Sequence, residues 1–135
     1  MVVIIDYGMG NVSSVEKALN YLNIKNIISN DENVIKNSSV ILLPGVGSFS
    51  QGMNNLVKLN LVDLLTDEVV NKKKPFLGIC LGMQLIFEKG NEPYECDGLG
   101  WIKGEVRKLD LEGFKVPHMG WNDIEVQNNK YYSKN

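Results

Sequence analysis

The chain has 135 residues, of which 44% are hydrophobic and 22% are charged, and its formal net charge is −2. It therefore fits one globular domain that buries a core without disulfide bonds, and the scattered Lys and Arg argue against nucleic acid or an anionic membrane as the main partner. No apolar stretch has the length of a membrane span, and the amino terminus lacks the features of a signal peptide, so we expect a cytoplasmic protein. The one His and two Cys show no zinc spacing, and we expect no metal or cofactor.

Strand and helix patterns alternate in the first part of the chain. Short apolar runs at 1–6, 24–28, 40–43 and 76–79 predict four strands. The segments between them keep helical spacing, and the polar residues Asn11 and Asp31 are placed to cap two helices, with a break expected near Asn60. This alternation predicts a parallel sheet with helices on both faces, a three-layer α/β sandwich.

The pattern changes after Gly90. Residues 91–100 are polar and turn-rich, while 101–107 and 114–116 predict a small antiparallel extension. Residues 123–126 alternate again. The short lysine run at 72–74 is interpreted as the solvated end of a helix.

The segment Gly78-Ile79-Cys80-Leu81-Gly82 lies between a predicted strand and a helix predicted to run from Leu81 to about residue 89. This is the arrangement of a nucleophile elbow with Cys in the Ser position, and the flanking glycines leave room for the tight turn. The helix N-terminus favours the thiolate, and the Leu81 amide points toward a forming oxyanion. The alternative is a buried structural cysteine, but the strand before and the helix after favour a nucleophile.

A second glycine-rich turn, Pro44-Gly45-Val46-Gly47, follows the third predicted strand. Ligands bind at the carboxyl ends of strands in an open parallel sheet, so this loop and Cys80 should share one edge. Glycines there let backbone amides approach a ligand closely. Taken alone, the pattern is more typical of an ordinary turn.

Four segments, at 5–11, 43–49, 78–85 and 116–122, together resemble the class I glutamine amidotransferases, in particular the glutaminase subunits of imidazole glycerol phosphate synthases in histidine biosynthesis. The resemblance runs to about residue 132. It implies a flavodoxin-like fold with a mainly parallel sheet, in one domain over 1–135 that lacks its C-terminal part. It also implies a heterodimer with a (β/α)₈-barrel synthase subunit, which receives the ammonia released from glutamine.

The resemblance also implies roles for single residues. Cys80 would attack the carboxamide of glutamine to give a glutamyl thioester and ammonia, and the amides of Val46 and Leu81 would form the oxyanion hole. The residues implied to line the glutamine pocket are Gly45, Gly47 and Gln84. The residues implied to face the partner are Asn11, His118, Met119 and Trp121.

His118 is the only histidine, and a cysteine nucleophile normally has a base beside it. Its segment resembles the family's subunit interface, whereas the family's base lies in a later Phe-His-Pro-Glu segment that this sequence does not contain. We therefore expect the chain alone to be inactive, without the His and Glu of the triad. Trp121 is equally compatible with a half-buried aromatic on a strand, and Cys96 is interpreted as a loop thiol.

Two other functions remain compatible with the sequence. Paralogous amidotransferases aminate sugars for surface polysaccharides, and residues 98–101 and 115–119 look somewhat like theirs. The second alternative is a truncated, non-catalytic module that only binds its partner, since the triad's His and Glu are missing.

Overall fold

The computed structural model describes residues 1–109, 113, 116–117, 119–123 and 125. The elements along these residues are, in chain order, β1 (Val2–Ile5), α1 (Val12–Tyr21), β2 (Asn26–Ser29), α2 (Glu32–Asn37), β3 (Val40–Gly45), α3 (Phe49–Lys58), α4 (Leu61–Thr66) with a π-helical turn after it (Asp67–Asn71), β4 (Phe76–Cys80), α5 (Leu81–Gln84), β5 (Phe87–Gly90), β6 (Cys96–Asp97) and β7 (Ile102–Val106). The segments predicted at 114–116 and 123–126 fall partly outside the described residues. No helix in the described part is long and apolar enough to cross a membrane.

Four parallel strands form the main sheet, in the order β2-β1-β3-β4. This confirms the predicted parallel α/β architecture. The strand order reverses between β1 and β3, so the carboxyl ends of these strands flank the point where ligands bind in such sheets. The loops after β1, β3 and β4 therefore meet at the edge where the sequence predicts a site.

Helices begin at the predicted capping residues. The Asn11 side chain accepts a hydrogen bond from the Ser14 amide at 3.2 Å, and the Asp31 carboxylate accepts one from the Val34 amide at 3.0 Å. The break between α3 and α4 occurs at Asn60, whose φ of 55° is left-handed. Local sequence signals thus explain where these helices begin and end.

The main core lies on one face of the sheet. Alternate residues of β1 and β3 are buried there, namely Val3, Ile5, Ile41 and Leu43. They share one cluster with buried side chains of the helices, namely Ile35, Phe49, Met53, Leu56, Leu61, Leu65, Leu81 and Leu85. Burying an aliphatic side chain of this size contributes roughly 1.5–3 kcal/mol, so this cluster is the main source of stability.

The opposite face is covered less completely. Leu42 is buried there, but its register partner Leu77 is 54% exposed, and Ile79 on the same strand is 39% exposed. Within the described residues, β4 pairs only with β3, so its outer edge has no strand beside it. An apolar surface beside an unpaired strand edge favours association with other chains.

The chain after Cys80 differs from the prediction in two ways. The helix that begins at Leu81 ends at Gln84, because the carbonyls that would continue it accept amides from residues 98–102 instead. Leu99 donates to Leu85 at 2.8 Å, for example. The small sheet is mixed rather than antiparallel: β5 pairs antiparallel with β6 but parallel with β7, which lies on its other side.

Trp101 fastens this small sheet to the main domain. Its indole N–H donates to the Thr66 hydroxyl at 3.0 Å, and its ring meets Phe76 edge to face with centroids 5.1 Å apart. Such an aromatic pair adds about 0.5–1.5 kcal/mol beyond its buried area. The contact fixes the start of β7 against α4 and β4.

The lysine run at 72–74 is not simply a solvated helix end. The Lys74 side chain is only 11% exposed, and its ammonium lies 2.5 Å from the carboxylate of the buried Glu68. The same ammonium donates to the carbonyls of Ile35 and Lys36 at 2.8 and 2.9 Å. The interpretation as a solvated end is therefore wrong for Lys74, which ties the end of α2 to the π-helical turn.

Candidate active site

Cys80 ends β4 in a backbone conformation that side-chain-bearing residues rarely adopt. Its φ is 53° and its ψ is −116°, and α5 begins at the next residue. Such strain costs about 1–3 kcal/mol and is concentrated at functional sites. The side chain is exposed, which excludes the alternative of a buried structural cysteine. The structure therefore has the predicted strand–elbow–helix geometry at this residue.

Gly78 and Gly82 make the elbow possible. A Cβ on Gly78 would lie 2.7 Å from the Gly82 carbonyl oxygen and from the Met83 amide nitrogen. A Cβ on Gly82 would overlap the carbonyl of Leu43. Because these neighbours are backbone atoms that cannot move aside, both positions require glycine, as the spacing around Cys80 predicts.

The helix that follows Cys80 is shorter than the sequence predicts, so it stabilises a thiolate at Cys80 less. α5 has only 4 residues, Leu81–Gln84. A helix dipole is the sum of many aligned peptides, so a single turn contributes little to stabilising a thiolate.

β3 places the second predicted loop directly beside the elbow. Gly45 pairs in register with Cys80 across the two strands. A Cβ on Gly45 would lie 2.8 Å from Leu81 Cβ and 3.0 Å from the Gly82 amide nitrogen, so only glycine allows β3 and α5 to approach this closely. The structure thus brings together Gly45, Cys80 and Leu81.

The Val46 amide already has a partner within the chain. It donates to the carbonyl oxygen of Met9, with an N–O distance of 2.6 Å. One N–H makes one well-aligned hydrogen bond, so in this state the amide is not available to an oxyanion at Cys80. Gly47 follows with a φ of 106°.

Tyr7 is a neighbour of the site that no catalytic motif indicates. It follows β1, and its hydroxyl lies so close to Gly45 that it would clash with a Cβ there. The residue is 2% exposed, and its hydroxyl has no hydrogen-bond partner in the described part of the chain. Burial, and secondly the charge of Cys80, hold the pKa of Tyr7 well above its usual range, so the hydroxyl keeps its proton. Two sequence signals point to it: its position just after β1 and its place in the segment 5–11 that resembles the family.

A cavity of about 660 Å³ lies beside α5. The predicted pocket residue Gln84 lines it, together with the oppositely charged Glu92 and Arg107, whereas Cys80 is outside the lining. The Glu92 carbonyl accepts a hydrogen bond from the Ser50 amide at 3.1 Å, which anchors its loop to α3. Glu92 and Arg107 belong to no motif and only the fold brings them together, so sequence patterns do not reveal them.

The residues predicted to face a partner lie at the surface. Asn11 is exposed at the start of α1, Met119 is 88% exposed and Trp121 is 103% exposed. Trp121 is in no strand, so its alternative interpretation as a half-buried strand residue is wrong. His118 lies outside the described residues.

Cys96 is in β6 rather than in a loop. Burial is the main cause that raises the pKa of its thiol, and the charge of Asp97 is the second.

Comparison with known proteins points to one family. The family model for glutamine amidotransferase class-I matches residues 3–134. The imidazole glycerol phosphate synthase subunit HisH of Bacillus cereus is 50% identical over 127 residues, which are 94% of this chain and 60% of that protein. The subunit of the same name from Bacillus anthracis is 48% identical over 127 residues, again 94% of this chain and 60% of the relative. The chain thus spans about 60% of the length of these curated relatives.

The likeness extends to a solved structure. A crystal structure described as a glutamine amidotransferase superposes with a TM-score of 0.65, covering 79% of this chain and 56% of the other at 18% identity. At that identity the likeness shows a shared fold.

Proposed function

Since the chain belongs to the class I glutamine amidotransferase family, we propose that it carries the nucleophile part of a glutaminase that supplies ammonia to a synthase subunit. The observation that carries the proposal is the elbow at Cys80: an exposed sulfur on a strained turn, in register with Gly45. This geometry presents a nucleophile at the ligand-binding edge of the sheet.

The proposed reaction begins when the Cys80 thiolate attacks the carboxamide carbon of glutamine. The tetrahedral oxyanion would be stabilised by the Leu81 amide and, after it leaves Met9, by the Val46 amide. Collapse breaks the C–N bond, releases ammonia and leaves a glutamyl thioester, which water hydrolyses to glutamate and free thiol. Losing one such oxyanion donor commonly costs about 10²–10³-fold in kcat.

The cavity beside α5 supports an amino acid as the substrate. A free amino acid presents an ammonium and a carboxylate. The lining contains the acidic Glu92 and the basic Arg107 and Lys108, of which Arg107 also pairs with Glu105 at 2.9 Å. Gln84 lies in the same single-turn helix that starts beside the nucleophile. In this proposal the cavity holds the backbone end of glutamine, and its carboxamide reaches out to Cys80 and to the loop containing Gly45 and Gly47.

The proposal assigns no general base within these residues. Ammonia needs a proton to leave, and removing a positioned acid–base group commonly costs about 10²–10⁴-fold. The sequence contains no Phe-His-Pro-Glu segment, and its single histidine is in the segment that resembles an interface. The chain alone is therefore expected to turn over glutamine very slowly.

The partner is proposed to be a (β/α)₈-barrel synthase subunit acting in histidine biosynthesis. Two observations support this: the relatives are named as synthase subunits, and Met119 and Trp121 are almost entirely exposed on one short segment. A fully exposed tryptophan is well suited to anchor an interface. The same relatives favour this pathway over sugar amination.

The deciding experiment compares glutaminase activity in a coupled glutamate assay. One sample is the 135-residue chain, and the other is the chain extended through a Phe-His-Pro-Glu segment and mixed with a synthase subunit. We expect turnover only in the second, abolished by Cys80→Ala and unchanged by the matched variant Cys96→Ala. Turnover by the short chain that is lost on His118→Ala would overturn the assignment and make His118 the base.

A further inference from the structure

We infer that Tyr7 is a positioning residue for the nucleophile, whose buried hydroxyl donates a hydrogen bond to the Cys80 sulfur when that sulfur is ionised. The inference rests on the proposed function, because it assumes that Cys80 works as a thiolate. Tyr7 would act through Cys80 rather than by touching the substrate.

The first argument is that the hydroxyl has no partner. Tyr7 is 2% exposed, and its oxygen makes no hydrogen bond in the described part of the chain. A buried polar atom without a partner lowers stability, so such atoms are rare in folded proteins. Phenylalanine would fill the same space without that cost. We therefore expect another state of the protein in which the hydroxyl donates a hydrogen bond.

The second argument is its location. The Asn55 side-chain amide donates to the Tyr7 carbonyl at 3.0 Å and fixes the residue at the end of β1. The hydroxyl fills the space of the side chain that Gly45 lacks, and Gly45 is the register partner of Cys80. After burial, the charge of Cys80 is the second cause that raises the pKa of Tyr7. In the described part of the chain, the Tyr7 hydroxyl is the one buried side-chain polar atom without a hydrogen-bond partner, and it lies beside the register partner of the nucleophile.

The third argument is chemical need. A thiolate at Cys80 gains little from the single helical turn that follows it. A phenol that keeps its proton has one hydrogen to donate, and bonds to an ionised acceptor are stronger than those to a neutral one. Rotation of the Cys80 side chain between staggered positions is the movement that the inference requires. In the side-chain position that the structure shows, the Cys80 sulfur makes no hydrogen bond with the hydroxyl.

The test is the pH profile of Cys80 alkylation in Tyr7→Phe, measured with iodoacetamide on the 135-residue chain and read by peptide mapping. Losing a hydrogen bond to the thiolate should reduce its fraction about tenfold at neutral pH. A more basic thiolate is also more nucleophilic, so the rate should fall only about threefold at neutral pH and rise above wild type at the alkaline plateau. A change of packing alone would not produce profiles that cross.

Tyr21→Phe is the matched control, because Tyr21 is 86% exposed and should leave the profile unchanged. The Tyr7→Phe chain should unfold at the same urea concentration as wild type or a higher one. If it is destabilised instead, 3-fluorotyrosine incorporation decides, because a stronger phenol donor should move the profile in the opposite direction. If Tyr7→Phe and the 3-fluorotyrosine chain both give the wild-type pH profile of Cys80 alkylation, the inference is overturned and the proposed function stays intact. Wild-type Cys80 no more reactive than Cys96 would overturn the proposed function as well.

Discussion

The Val46 amide donates to the Met9 carbonyl at 2.6 Å, which joins the loop after β3 to the loop after β1. If Val46 serves the oxyanion, this bond must break during catalysis. We expect its amide proton to exchange slowly in the free chain and to lose protection once Cys80 carries a glutamyl-like group. Amide exchange followed by NMR, before and after labelling with a glutamine-derived diazoketone, measures this. Unchanged protection in the labelled protein would exclude Val46 from the oxyanion hole.

Cys80 should react faster than Cys96 with iodoacetamide. The first sulfur is exposed on the elbow, whereas the second is half-buried, and burial raises the pKa of the Cys96 thiol. A raised pKa lowers the thiolate fraction at neutral pH, so Cys96 labelling should increase at alkaline pH. Peptide mapping at two pH values measures both rates. Equal labelling of the folded protein at neutral pH would contradict the elbow assignment.

Trp121→Ala should weaken binding to the synthase subunit by about 2 kcal/mol or more if this side chain anchors the interface. Trp121 is 103% exposed in the free chain, so its loss should leave the stability of the chain itself unchanged. Titration calorimetry with the extended chain gives the affinity. Tyr21→Ala is the control, since Tyr21 is also exposed but lies at the end of α1. Equal affinity of Trp121→Ala and wild type would remove Trp121 from the interface.

Leu77→Lys should reduce self-association of the isolated chain. Leu77 is 54% exposed on the less covered face of β4. A charge beside a strand edge that no described strand covers disfavours pairing with another chain. Light scattering against concentration measures the effect. Leu22→Lys, at an exposed position that ends α1, should change association little. An equal effect of both variants would show that the β4 face has no special role.

Lys74→Met should lower the free energy of unfolding by about 1.5–3 kcal/mol. It removes one of the two ammonium partners of the buried Glu68 carboxylate while Lys72 stays 2.7 Å away, so the expected loss is that of a hydrogen bond to a charged group. Urea denaturation measures the change. Lys73→Met is the matched control, because Lys73 is the exposed neighbour in the same run. A similar loss in both variants would contradict the role of Lys74.

The same cluster predicts an acid dependence. Hydrogen bonds from Lys72, then Lys74, hold the pKa of Glu68 below its usual range. A depressed carboxyl pKa stabilises the fold above the unfolded value of about 4.5, and that contribution is lost as the pH falls further. Glu68→Gln should therefore be less stable than wild type at neutral pH, and its free energy of unfolding should fall less than that of wild type between pH 5 and pH 3.

Local signals predict most of the main sheet. The β-branched run of β1, the caps at Asn11 and Asp31 and the glycines around Cys80 act through neighbouring residues, so a single sequence reveals them. The edge shared by Cys80 and Gly45 follows from parallel topology. These are the features that the structure confirms.

The remaining features depend on contacts between distant segments. α5 ends early because amides of residues 98–102 donate to the carbonyls of residues 85–88. No residue within the helix itself predicts this early end. Lys74 looks like a surface lysine until the fold brings Glu68 and two carbonyls around its ammonium. The hydrogen bond from the Val46 amide to Met9 likewise depends on tertiary packing, and so does the burial of a Tyr7 hydroxyl that has no partner among the described residues.

The connection between β1 and α1 is a poor place to insert a tag or a fluorophore, although surface loops usually tolerate additions. Tyr7 packs beneath the elbow, Met9 holds the Val46 amide and Asn11 caps α1, so one insertion would disturb three contacts. The turn at 23–25 between α1 and β2 is exposed and lies outside the site. A label for following folding or partner binding therefore belongs in that turn.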